Sequence, residues 1–108
     1  MRDRVIRLGF CKVILTSKDY MFYDGEWVML SDELGWWTSD GEIYVFIPKI
    51  NTIWEVFGIV AHEVVEYILE MKLKVKHTKA HKIANIIEKA VSLGKAKLYW
   101  VEEAGNNA

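Results

Sequence analysis

Between Asn51 and Lys72 the chain reads NTIWEVFGIVAHEVVEYILEMK, and this stretch limits the possible folds more than any other. Thr52, with Glu55 three positions later, forms a capping-box start for a helix from Ile53 to about Lys72. Residues on an α-helix advance by about 100° each. With Glu55 at zero, His62 falls at about −20°, Glu66 at about 20°, Glu70 at about 60° and Glu63 at about 80°. Every charged group from Glu55 to Glu70 therefore lies in an arc of roughly 100°. The remaining surface is Ile, Val, Leu, Phe, Trp and Tyr, with Gly58 and Ala61. Such a helix is buried nearly all round and carries one polar seam. The seam is either a stripe facing solvent or a metal site.

The residues around this helix define the fold class. HTKAHKIANIIEKAVSLG, from His77 to Gly94, predicts a second helix with Thr78 as its N-cap and Gly94 as the C′ residue. The first half reads as strands and turns. RVIRLGFCKVIL (Arg4–Leu15) is rich in β-branched and large apolar residues, with Gly9 as a bulge position. DYMFYDGEWVML (Asp19–Leu30) is a hairpin whose Asp24-Gly25 pair supplies the left-handed residues of a tight turn. SDELGWWTSDG (Ser31–Gly41) reads as a loop, and EIYVFIPK (Glu42–Lys49) as a short strand ended by Pro48, the only proline. KAKLYWV (Lys95–Val101) is a candidate last strand, and residues 102–108 form a tail. The predicted architecture is α+β, a small antiparallel sheet packed against a two-helix hairpin. It forms one domain over residues 1–108, with β structure in 1–50 and the hairpin in 52–94.

Composition excludes several function classes. A chain of 108 residues, 52% hydrophobic and 27% charged, is long enough to bury one core and too apolar to be disordered. A formal charge of −1 disfavours a general nucleic-acid binder. Lys72, Lys74, Lys76, Lys79 and Lys82 crowd the hairpin bend, as solvated lysines commonly do. Cys11 is the single cysteine, so the fold stands without an internal disulfide, as expected in a reducing, cytoplasmic compartment. Charges interrupt every apolar stretch before it reaches membrane-spanning length. The lack of glutamine, with abundant Ile, Val, Lys and Glu, points toward a thermophilic source. No phosphate-cradling glycine loop or dinucleotide fingerprint is present, and Cys11 has no histidine near it in sequence to activate a thiol.

All three histidines, His62, His77 and His81, fall in the predicted hairpin. His62 and Glu66 stand at i and i+4, so one ion can be reached from successive turns. Two ligands make a weak site, and the second helix offers a third in His81, with His77 as the alternative. His81 is reachable if that helix lays its first turns across the seam. Glu88, two turns beyond His81, is a fourth ligand or a hydrogen-bond acceptor behind the ligands. Glu63 projects to one side of His62, where it can hold a water instead of the ion.

AHEVVEY resembles the active-site helix of zincin-type metallopeptidases, whose HExxH motif sets two histidine ligands around a general-base glutamate. AHKIANIIE (Ala80–Glu88) resembles an A-H-x-x-A-x-x-x-E pattern that follows H-E-x-x-E in small archaeal and phage proteins. The resemblance spans Ile59 to Ala90. It implies zinc as the ion, His62 as first ligand, Glu63 as catalytic base and a peptide or protein as substrate. The strand Ile43–Ile47 would then border the cleft and align an extended peptide. Glu66 stands where the motif has its second histidine, which makes the site more anionic.

Two functions follow. One is a metal-dependent hydrolase of peptide or amide bonds in which Glu63 moves the proton. The other is a non-catalytic interaction module whose hairpin is held by a structural metal, with the tryptophans and the lysine-rich bend as contact surface. An ion enclosed by His62, Glu66, His77 and His81 together would belong to the second, because a catalytic site keeps one position open. Oligomeric state has no signature in the sequence.

Overall fold

The aromatic hairpin forms as its sequence requires. β3 (Tyr20–Tyr23) and β4 (Glu26–Met29) pair antiparallel with Tyr23 opposite Glu26. The two residues between them, Asp24 (φ 52) and Gly25 (φ 80), both take the left-handed conformation that a two-residue turn needs. A computed structural model describes residues 3–93 of the chain. The Gly94 cap, the candidate strand Lys95–Val101 and the tail lie outside the described residues.

The main sheet has four strands, β1 (Arg4–Arg7), β2 (Lys12–Thr16), β5 (Gly35–Trp37) and β6 (Glu42–Phe46), in the order β1-β2-β6-β5. The expected single strand Arg4–Leu15 is instead a hairpin, β1 (Arg4–Arg7) and β2 (Lys12–Thr16). Gly9 (φ 72) lies in its turn, not at a bulge, and the Leu8 N–H donates to the Cys11 carbonyl at 2.8 Å. A glycine free to adopt positive φ lets an apolar run reverse direction where the residues around it would have continued the strand. The segment Ser31–Gly41, expected as a loop, forms a helical turn α1 (Leu30–Glu33) and a strand β5 (Gly35–Trp37). β5 pairs antiparallel with β6 (Glu42–Phe46). Cross-strand partners Tyr44 and Ile43 hold Trp36 and Trp37 in extended backbone, a tertiary effect that local sequence does not carry. β2 and β6 pair in parallel, so the sheet is antiparallel except at its centre.

That central pair makes the core. Val13, Ile43 and Val45 are buried, and Ile59, Val60 and Val64 pack on them. These last three lie on α2 (Ile53–Tyr67), which Thr52 caps by accepting a hydrogen bond from the Glu55 N–H at 3.2 Å. The Glu55 carboxylate in turn accepts from the Asn51 N–H at 3.2 Å. The helix continues as a π-helical turn over Ile68–Lys72, then reverses through Lys74 (φ 57) into α3 (His77–Ser92). α3 begins one residue before the expected Thr78 cap. Lys76 takes the cap position with no side-chain hydrogen bond, and its carbonyl accepts from Ala80 at 2.9 Å. Small residues let α2 and α3 approach closely: Ala80 and Ala84 are fully buried, and a Cβ on Gly58 would collide with the Ser92 hydroxyl. The architecture is α+β, a small antiparallel-rich sheet against a two-helix hairpin. None of the described helices is long and apolar enough to cross a membrane.

Candidate metal centre

The antiparallel hairpin turns sequence positions into rungs. Near one end, Gly58 lies against Ser92 and Glu88. One turn along, His62 Nδ1 stands 2.8 Å from Glu88 Oε1. Next, Glu66 Oε2 lies 2.6 Å from His81 Nδ1 and 3.3 Å from His62 Nε2. At the bend, Glu70 Oε2 is 2.9 Å from His77 Nδ1. The middle of the α2 seam faces inward: His62 (7% exposed), Glu63 (8%) and Glu66 (5%) are buried, whereas Glu55 stays at the exposed helix start and Ile53 and Phe57, expected to be buried, are exposed.

Burial of Glu63 and Glu66 calls for a proton or a cation. Glu33, Glu63, Glu66 and Glu88 all line one cavity of about 470 Å³ with His62, and Glu70 follows along the seam. Among the described residues no lysine or arginine forms an ion pair with any of these carboxylates. Buried charge without a partner is costly, so groups in this position either take up a proton or bind a cation. Glu63 takes the first route in the metal-free chain. Burial, reinforced by Glu66, Glu88, Glu33 and Glu70, pushes its carboxyl up to about 8. At the exposed end, the hydrogen bond that the His77 imidazole donates to Glu70 raises its pKa above the ordinary value.

The donors fit an ion. His62, Glu66 and His81 each bring one ligand atom to within 4.8 Å of the other two. Bonds of about 2.0–2.2 Å would hold tetrahedral donors about 3.3–3.6 Å apart. The His62–Glu66 separation of 3.3 Å already matches, and the 2.6 Å His81 contact has to open by less than about an ångström. His62 Nδ1 is buried and makes no hydrogen bond, although Glu88 Oε1 lies 2.8 Å from it. Glu88 is thus the nearest carboxylate to the His62 ring nitrogen that faces away from Glu66, the place of a group behind the ligands.

The structure brings together His62, Glu63, Glu66, His81 and Glu88, all on one cavity. His77 also lines that cavity, but its carboxylate partner is Glu70 and it stands outside the His62–Glu66–His81 set. The expected role of Ile43–Ile47 as the strand beside the cleft is not met. β6 is hydrogen-bonded on both sides, to β2 and β5, and has no edge left for a peptide. The strand that lines the cavity is β5, the outer strand among the described residues. Gly35 in β5 has no local sequence signal, yet its lack of a side chain sets the approach of sheet to helix. A Cβ there would meet Ile59 Cγ2 at 2.7 Å and Glu63 Oε1 at 2.9 Å. Glu33, at the cavity rim on α1, was equally invisible in the sequence. Glu70 was not, since it stands i+4 from Glu66 on the same seam.

Cys11 is buried in the β1–β2 turn, and burial raises its thiol pKa, so nothing activates it as a nucleophile. The chain matches no protein-family model, no curated protein and no solved structure.

Proposed function

We propose that the chain is a zincin-like hydrolase of peptide or amide bonds, dependent on a divalent cation, zinc first, held by His62, Glu66 and His81. One observation carries this reading: a buried carboxylate, Glu66, lies between two imidazoles from different helices, with a second buried carboxylate, Glu63, beside it on an open cavity. When bound, the ion would acidify a water and polarise the scissile carbonyl. Glu63 then accepts the proton of the attacking water and passes it to the leaving nitrogen. A carboxyl with a pKa of about 8 before any ion is bound is already the kind of group that gains and loses a proton near neutral pH. Glu66 holds His81 against α2, and Glu88 stands 2.8 Å from the His62 ring nitrogen that faces away from Glu66. The outer position of β5 along the cavity supports an extended peptide as substrate.

A second reading, an interaction module with a structural ion, is favoured by the β3–β4 hairpin, which exposes Tyr20 (52%), Phe22 (60%) and Trp27 (72%). One measurement tests the metal site that both readings share, and a second separates them. Zinc content should fall in both His62→Ala and His81→Ala; wild-type content in both would move the site elsewhere. Glu63→Gln should keep fold and metal while losing most hydrolysis of a peptide library. A zinc-loaded wild type that cleaves nothing, or a mutant as fast as wild type, would leave only the interaction module.

A further inference from the structure

A second set of donors lies next along the hairpin. Glu66, Glu70 and His77 also bring one ligand atom each to within 4.8 Å of one another, and Glu66 is common to both sets. Glu70 sits in the π-helical turn Ile68–Lys72, just past the regular part of α2. Insertions of this kind occur frequently at functional sites. Here the altered turn carries Glu70 to the start of α3, where His77 lies 2.9 Å away. The two sets run in line, with the His62 and His81 ring centres 5.0 Å apart and those of His81 and His77 5.7 Å apart. Lys72, the lysine of the π-helical turn, extends over the Tyr67 ring, 6.0 Å from its centre, and neutralises neither glutamate.

We propose that the hairpin holds two divalent cations, the second bound by Glu66, Glu70 and His77, with the Glu66 carboxylate bridging the pair. The proposal rests on the reading of His62, Glu66 and His81 as the first site. A carboxylate has two oxygens with about four lone-pair directions, so one buried glutamate can serve both ions. Ions bridged in this way stand about 3.5–4 Å apart and act together on one hydrolysed bond. The second set is richer in oxygen than the first, so manganese as well as zinc suits it. The His77 side chain is 66% exposed, which leaves this ion open to solvent. The question of which histidine is the third ligand then has a different answer: His81 serves one ion and His77 the other.

The test is a metal count on the whole chain. Protein stripped with chelator is loaded with Zn²⁺ at neutral pH, freed of excess metal, and its zinc measured by atomic emission. Wild type should hold two zinc ions per chain. His77→Ala and Glu70→Gln should each hold one, with circular dichroism unchanged, because His77 is exposed and glutamine keeps the shape of Glu70. Loading with Mn²⁺ should give the exchange-coupled paramagnetic resonance spectrum of a bridged pair, lost in both variants. A wild-type count of one that His81→Ala abolishes and His77→Ala leaves intact overturns the second ion and spares the first site. A count of two that either His77→Ala or Glu70→Gln leaves unchanged also overturns it, since the second ion then lies elsewhere. No zinc in wild type overturns both.

Discussion

Replacing Glu63 by glutamine should change the pH dependence of stability of the metal-free protein by a predictable amount. The carboxyl is 8% exposed and is carried from an ordinary 4.5 to about 8 by burial and by four neighbouring glutamates. A raised carboxyl pKa means that the native state holds the proton more tightly than the unfolded state does. The associated stability is therefore fully present below pH 4.5 and is lost progressively as the pH rises to about 8. Each pH unit within that window costs about 1.4 kcal/mol, so about 3 kcal/mol is gone by pH 7 and about 5 kcal/mol at the alkaline end. Glutamine is neutral throughout and escapes the loss. In excess chelator, Glu63→Gln should gain about 3 kcal/mol on wild type between pH 4 and pH 7, a relative rise in melting temperature of about 13 °C for a chain this size. Urea titrations followed by tryptophan fluorescence at several pH values measure this directly, and the two proteins share every other titrating group. Saturating zinc should shrink the difference, because a nearby cation favours the carboxylate. Parallel stability curves for mutant and wild type from pH 4 to pH 9 in chelator would refute the assignment of Glu63 as a buried, proton-holding group.

Gly35→Ala should destabilise the protein by roughly 1–3 kcal/mol, since its Cβ has to displace Ile59 and Glu63. Ile59→Ala, which removes the Cγ2 methyl that the new Cβ meets, should cost less stability in the Gly35→Ala chain than in wild type, and a Gly35→Ala protein as stable as wild type in urea would show that β5 and α2 are not so tightly apposed. Removing bound zinc should lower the melting temperature, because an ion held only by the native state at about 100 times its dissociation constant contributes about 2.7 kcal/mol. An unchanged melting curve, with metal loss verified by elemental analysis, would show that the ion does not support the fold.

Where neighbours in the chain decided the outcome, the sequence alone was sufficient. The Asp24-Gly25 hairpin, the Thr52–Glu55 cap, the long α2 helix and its single polar arc are each settled within a few residues, by left-handed conformers, by capping and by the 3.6-residue period. His62 and Glu66 were legible as a pair for the same reason, since i and i+4 share a helix face wherever the helix is placed. Whether that face met water or protein was not a local property. It became buried only when α3 folded back and brought Glu88, His81 and His77 opposite His62, Glu66 and Glu70. The choice of β5 instead of β6 as the strand beside the cavity depended on strand order, which follows from pairing between segments far apart in the chain. Gly35 shows the limit most directly: nothing near it in sequence requires a glycine, and the residues that do, Ile59 and Glu63, arrive only with the tertiary fold.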